Sequence, residues 1–524
     1  MENKDSRHNI ARSAGKVSLG TLASRVFGLI REQVFAYLFG AGMSADSFVA
    51  AFRIPNLLRD MFAEGALSAA FVPTLSEKLA RDKRGQAFKL ARTVFTFLLI
   101  VVSLISLVGI IFAPHLVDLI AGGFEDVPGK IELTITLARI MIPFLLLVSL
   151  AAVFMGVLNA LGIFGVPAFA PTMVNLAMIA SGFLICPFFD PPIIGMAIGV
   201  ILGGLGQLLF QVPVALRQGF VPSLDFSFND PAFKKIILLM MPMAVGFSAT
   251  QINVFIVTRL AASLQEGAVA YLNYAFRLMH LPLGLFALAI ATVSLPRISR
   301  FAALDKKEDM AGAYLSSLKL GLFLVLPASL VLIFGGGIIF SVLFQHGRFD
   351  YNDTLMASKA LAFYAIGLAA YAAVRISVPV FYAFKETFKP IVASVVAVVV
   401  NIILCYQLMG PLGFKGLALA ASISGCVNIG LLVLMLKMRL PQISLAGQFL
   451  PFAKIVMVNM ILAVALFFFQ RFMTVEVFTS SLPIRIFYLI LLLAGSAILY
   501  LLFSIFLKIE QLEGLRSIFR KFTK

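Results

Sequence analysis

The sequence predicts an all-α protein, a polytopic membrane protein with about 14 transmembrane helices, and three observations predict it. Of 524 residues, 61% are hydrophobic and only 13% charged, with a mean hydropathy of +1.01; charged residues make up about a quarter of a soluble domain. Apolar runs long enough to cross a hydrocarbon core, which takes roughly 20 helical residues, recur from residue 15 to residue 508 with short connections. Stretches such as 95–112 and 484–507 are apolar on every side. That is the pattern of a membrane helix and the opposite of the alternating polarity of an outer-membrane barrel.

The spans follow in order at 15–38, 45–72, 93–113, 133–158, 165–187, 193–214, 236–262, 268–295, 320–344, 355–384, 390–408, 415–436, 453–470 and 486–507. An even count puts both termini on one side, and the basic residues identify that side. Tails and loops sharing it carry 28 lysines and arginines; the opposite loops carry 5, namely Lys130, Arg348, Lys415, Arg471 and Arg485. Such a bias over short loops marks the cytoplasmic face, so both termini are expected there. The polar, charged start of the chain reads as a cytoplasmic segment and not as a cleaved signal peptide. Located this way, the net charge of +17 needs no nucleic-acid partner.

A short repeat organises the spans into lobes. Ala51-Phe52-Arg53 in the second span returns as Ala275-Phe276-Arg277 in the eighth, and Pro73 and Pro296 follow at matching places before a basic loop. An offset of six spans keeps the orientation, so the two copies would be related by an axis along the membrane normal. The expected layout is two pseudo-symmetric six-helix lobes, 1–222 and 223–440, plus two C-terminal helices and a tail in 441–524. The joining segment 221–235 alternates Phe226, Phe228 and Phe233 with Asp225, Lys234 and Lys235, which suits a piece lying along the interface. Gly195, Gly199 and Gly203 form a smooth ridge for close helix packing. Pro55, Pro143, Pro242, Pro327 and Pro379 remove backbone hydrogen bonds inside spans and allow bends.

Charged residues inside spans are the strongest functional signal, because an arginine at the bilayer centre costs about 2.5–3.5 kcal/mol on insertion scales. Arg25, Arg31, Arg53, Arg59, Arg139, Arg259, Arg277, Lys359 and Arg375 all fall there. Arg139, Arg259 and Lys359 are near span ends, where a long stem reaches the headgroups. The acids Glu32, Asp46, Asp60 and Glu64 all belong to the first two spans, and the interior of spans seven to twelve has cations but no carboxylate. Arg25 and Glu32, and likewise Arg53 and Asp60, share a helix face seven residues apart, so part of the first lobe's charge is balanced internally. Arg277 and Arg375 have no acid in the interior of their own lobe's spans, and guanidinium stays charged at cellular pH. A cationic cavity for an anionic amphiphile bearing phosphate or carboxylates follows. Asp46 reads either as a first-turn acid favoured by the helix N-terminus or as a gating group.

Other chemistries find no foothold. Cys186, Cys405 and Cys426 lie in apolar runs without CxxC spacing, His8, His115, His280 and His346 are scattered, and no phosphate-loop motif occurs. Neither a metal, a cofactor nor a nucleotide site is expected, and no nucleophile stands beside a base.

The stretch Ser24-Arg25-Val26-Phe27-Gly28-Leu29-Ile30-Arg31-Glu32, then Phe39-Gly40-Ala41-Gly42-Met43-Ser44-Ala45-Asp46, Pro55-Asn56-Leu57-Leu58-Arg59 and 62–73 with Glu64 at its centre, resembles the bacterial MurJ (MviN) family of the multidrug/oligosaccharidyl-lipid/polysaccharide exporter superfamily. Pro167-Ala168-Phe169-Ala170-Pro171-Thr172 and Arg277-Leu278-Met279 extend the resemblance over nearly the whole chain. Members of that family flip lipid II, the undecaprenyl-pyrophosphate-linked peptidoglycan precursor, across the cytoplasmic membrane. The resemblance implies substrate-binding roles for Arg25, Arg31, Arg59 and Arg277 and a functional role for Asp46. It also implies a groove for the isoprenoid tail formed by the last two spans, and alternating access as the mechanism. Arg53 and Arg375 are added as substrate-binding candidates from the charge pattern, and Glu64 joins Asp46 as a gating candidate. Relatives often carry an acid just before the span-eight arginine and a glutamate three places after it; here Phe276 and His280 stand there. The implied partners are lipid II, membrane lipids and cell-wall synthesis proteins. A flippase for another undecaprenyl-pyrophosphate-linked oligosaccharide and a membrane scaffold for cell-wall enzymes remain as alternatives. A drug exporter fits poorly, since it would need interior acids.

Overall fold

Helix accounts for all the regular structure among the described residues, as a chain that must satisfy its own backbone in hydrocarbon requires. The computed structural model describes residues 2–59, 66–81, 83–442 and 448–512. Among the described residues, helices run through every segment read as a span. Ten are individually long and apolar enough to cross a membrane, or eleven with one bent pair taken as a single span, among the described residues. This is a multi-pass membrane protein.

The chain divides into two units, Met1–Val269 and Ala270–Lys524. The first holds α1 (Glu2–Phe39), α2 (Met43–Arg59), α3 (Ala66–Ala80), α4 (Arg84–Ile111), α5 (Ala113–Ala121), α6 (Lys130–Met141), α7 (Phe144–Ala160), α8 (Gly165–Phe169), α9 (Thr172–Leu184), α10 (Ile193–Leu209), α11 (Val212–Arg217) and α12 (Pro231–Ala262). In the second span the described residues are helical as α2 and α3, and residues 60–65 lie outside the described residues. The glycine ridge packs α10 on α9 and the turn after it. A Cβ at Gly195 would sit 2.6 Å from the Cys186 Cα, one at Gly199 2.7 Å from Ser181, and one at Gly203 2.7 Å from the Val174 Cα. Only glycine permits that approach.

The joining segment straps onto α4. Arg84 and Arg92 donate to the carbonyls of Gln218 and Val221, and Thr93 donates to Asp225, whose own N–H reaches the Thr96 hydroxyl at 2.9 Å. Phe97, Phe228 and Phe233 cluster beneath it, with ring centroids 5.3–6.3 Å apart. Desolvation pushes the Asp225 carboxyl up, but hydrogen bonds from Ser227 and Thr93 and the charge of Lys89 outweigh it, and the group titrates below its ordinary range.

The second unit continues with α13 (Ala268–Pro282), a π-helical turn (Leu283–Ala287), α14 (Leu288–Ala303), α15 (Lys307–Leu343), α16 (Tyr351–Ile366), α17 (Leu368–Ala383), α18 (Phe388–Leu412), α19 (Phe414–Arg439), α20 (Phe449–Arg471), α21 (Val475–Thr479) and α22 (Leu482–Phe506). The pair α16 and α17 bends by 45°, at Gly367 and not at a proline. There the Ser422 hydroxyl enters the break: it accepts from the Gly367 N–H at 3.1 Å and donates to the carbonyls of Phe363 and Tyr364. A side chain inserted into the helical ladder is a sufficient cause of a kink. Arg485, counted by sequence among the loop cations, is buried; it donates to the Ser341 and Gln345 carbonyls and ties α22 to the end of α15.

Candidate functional site

In the first unit two of the candidate arginines, Arg25 and Arg31, are on α1 and two, Arg53 and Arg59, on α2. Arg25 and Arg31 are six residues apart on α1, which separates them by about 120° around the helix. Arg25 is exposed, whereas Arg31 is half-buried, pairs with the adjacent Glu32 and approaches the Met178 sulfur at 3.9 Å. Glu32 thus meets Arg31, although the spacing had aligned it with Arg25. The side of α1 bearing Ser24 and Gly28 meets α9, where the Asn175 amide donates to the Ser24 carbonyl at 3.1 Å. Arg53 and Arg59 are both half-buried on α2, and the same six-residue spacing turns them apart. Asp60 and Glu64 lie outside the described residues.

Asp46 occupies the first turn of α2, as its position suggests, but its surroundings go beyond a helix-terminus acid. It is 1% exposed and accepts from the Lys130 ammonium at 2.9 Å and from the Gly267 N–H at 2.8 Å. Lys130, 2% exposed, opens α6 and rests 4.1 Å above the Phe124 ring. Reciprocally, Glu266 accepts from the N–H of Met43 at 2.7 Å, taking up one of the donors at the start of α2. Two acids, Asp46 and Glu266, therefore bind the 265–267 turn to the head of α2. Sequence reading missed Lys130, which it tallied as a loop cation. The available signal was a lone lysine just after a glycine, on the side of the membrane where cations are scarce.

In the second unit Arg277 on α13 and Arg375 on α17 are both exposed, and both act electrostatically on His280. His280 Nδ1 lies 2.8 Å from the Phe276 carbonyl, and the His280 and Phe276 rings are 4.1 Å apart. Phe276 in turn packs edge-on against Tyr364 at 5.8 Å. Two exposed guanidinium groups within electrostatic reach of one imidazole suit an anion, because their forks match phosphate or carboxylate oxygens. Phe276 and His280 are thus packing partners of each other on this surface.

A family model described as "Lipid II flippase MurJ" matches residues 35–488. The chain belongs to the MurJ family. A relative from Vibrio cholerae, described as a probable lipid II flippase MurJ, is 38% identical over 423 residues, covering 79% of this chain and 81% of its own. The lipid II flippase MurJ of Burkholderia cenocepacia is 35% identical, covering 82% and 84%. Among solved structures, a lipid II flippase MurJ in an inward closed conformation aligns with a TM-score of 0.78 at 27% identity, over 94% of this chain and 98% of that one. An inward-facing multidrug transporter of the MATE family aligns at a TM-score of 0.65 and 18% identity, over 80% of this chain and 95% of the other. That second likeness concerns the fold alone.

Proposed function

We propose that this protein is a transporter and not an enzyme: a lipid II flippase that carries the lipid-linked peptidoglycan precursor from the inner to the outer leaflet of the bacterial cytoplasmic membrane by alternating access. The family match across most of the chain carries this reading, and the exposed pair Arg277 and Arg375 supports it. Arg25, Arg31, Arg53, Arg59, Arg277 and Arg375 bind the pyrophosphate and the peptide carboxylates. Asp46, and with it Glu64, gates the cavity. The moving lobes are 1–222 and 223–440, the pair of helices in 441–524 receives part of the isoprenoid tail, and both termini face the cytoplasm. Cell-wall synthesis proteins are its partners in the cell.

No covalent bond changes in this cycle, so the driving force is electrical or ionic. An anionic headgroup leaving a negative interior gains about 2.3 kcal/mol per elementary charge at 100 mV, and the emptied cationic cavity returns inward with the same field. Membrane potential alone therefore suffices. Purified protein in vesicles, with fluorescent lipid II quenched from outside, tests the reading. Wild type should flip lipid II with a potential imposed and stop at zero potential with ion gradients intact, and Arg277→Ala should lose at least tenfold in rate. Equal rates for the two proteins would refute the arginine's role, transport of a different undecaprenyl-pyrophosphate oligosaccharide in preference would refute the substrate, and flipping at zero potential would refute the driving force.

A further inference from the structure

Within the first unit, α2, α5 and α12 enclose a cavity of about 390 Å³ that opens to the surface. Its described lining is Leu57, Leu119, Ile252, Phe255 and Ile256, with two polar members, Gln251 and Arg259. Five of its seven described lining residues are apolar, and a space of this size lined mainly by apolar side chains with a few polar groups is typical of a small-ligand site. Inside a bilayer the species available to fill it is hydrocarbon.

Arg259 is held at the rim. Its Nη1 donates to the carbonyls of Asp118 and Leu119 at 2.6 and 3.0 Å, in the last turn of α5, where a cation is also favoured by the helix dipole. A guanidinium has five N–H donors, and the Arg259 side chain is exposed, so donors remain on its outer edge. The Asp118 carboxylate stands nearby: a Cβ built on Gly122 would be 2.8 Å from Asp118 Oδ1 and 3.2 Å from Arg259 Nη1. The rim is therefore close to neutral, and an oxyanion there is recognised by hydrogen bonds more than by field.

We propose that this cavity binds one hydrocarbon chain of a membrane phospholipid, with the lipid phosphate on the outer N–H groups of Arg259. The site belongs to a resident lipid and is separate from the transported substrate. Because the rim is nearly neutral, phosphatidylethanolamine and phosphatidylglycerol bind it equally, while a diacylglycerol without phosphate binds it several-fold more weakly.

The chain contains no tryptophan, so Phe255→Trp introduces a unique fluorophore into the cavity and Leu104→Trp, on the exposed side of α4, a reference for bulk lipid. Both full-length proteins are placed in vesicles containing increasing fractions of phospholipid brominated on its acyl chains. The Phe255→Trp signal should quench at a several-fold lower brominated fraction than the Leu104→Trp signal, and Arg259→Gln should remove that difference. Ile252→Trp at the cavity mouth should give the same curve if the larger indole at 255 blocks entry. Identical curves for the cavity and reference positions would overturn the site. Brominated diacylglycerol quenching as well as the phospholipids, or a several-fold preference for phosphatidylglycerol, would overturn the role given to Arg259. No outcome depends on transport, so the test stands apart from the flippase reading.

Discussion

Replacing Lys130 by methionine isolates the energetic role of the buried pair it forms with Asp46. The wild-type carboxylate, 1% exposed, accepts from the Lys130 ammonium at 2.9 Å and from the Gly267 N–H at 2.8 Å. Lys130→Met leaves an ion without its counter-charge in a dry site, at a cost of about 3–5 kcal/mol. Asp46→Asn retains an acceptor for the Gly267 N–H but strands the ammonium. Some of that loss is recovered from the Phe124 ring, 4.1 Å away, because a desolvated cation–π contact contributes about 2 kcal/mol. A loss of about 1–3 kcal/mol is expected for that variant. The double variant removes both charges, and exchanging a buried pair for neutral groups is often close to neutral. The cycle should thus yield a coupling of about 3 kcal/mol or more, with the double variant more stable than Lys130→Met alone. Unfolding in mixed micelles by circular dichroism measures it. Additivity within about 0.5 kcal/mol, the behaviour of independent sites, would refute the pairing.

Three further outcomes follow from the same geometry. Gly203→Ala places a Cβ 2.7 Å from the Val174 Cα and should destabilise by about 1–3 kcal/mol, whereas Gly430→Ala in α19, with nothing within 4 Å, should be neutral or stabilising by about 0.5–1 kcal/mol; thermal midpoints compare them directly. Arg485→Ala leaves the Ser341 and Gln345 carbonyls without their donor, and should cost about 1–3 kcal/mol and loosen α22, read as faster hydrogen exchange in 482–506. Asp225 titrates below its ordinary range in the folded chain, so its contribution to docking the strap is complete above the unfolded value of about 3.9 and is lost as pH falls through the lower folded value. Exchange of the Asp225 and Ser227 amides, corrected for intrinsic rates, should accelerate over that acidic window in wild type and show no such step in Asp225→Asn.

The helices were legible because hydropathy alone encodes them: every apolar run of about 20 residues must satisfy its backbone internally, and none does so except as helix. The glycine ridge was legible for a similar reason, since a four-residue spacing fixes a face whatever lies opposite. The breaks were not. The bend at Gly367 is caused by Ser422, 55 residues away, and no local pattern announces a side chain arriving from another helix. The same limit applies to charge. Arginines and acids in spans stood out by their cost, but pairing is a tertiary matter: Lys130 is 84 residues from Asp46, and Arg485 looked like a loop cation until its burial against Ser341 was seen. Spacing placed Arg25 and Glu32 on one face correctly, yet the neighbouring Arg31 reaches the carboxylate. Arg277 and Arg375, singled out because their lobe has no interior acid, are the candidates that the structure brings to a common neighbour, His280.

Outer-leaflet exposure of lipid II tests the central claim most directly, in cells depleted of this protein and supplied with either the wild type or Arg277→Ala at matched membrane levels. Exposure should collapse on depletion, return with the wild type and fail to return with the variant. Exposure that survives depletion would contradict the flippase reading.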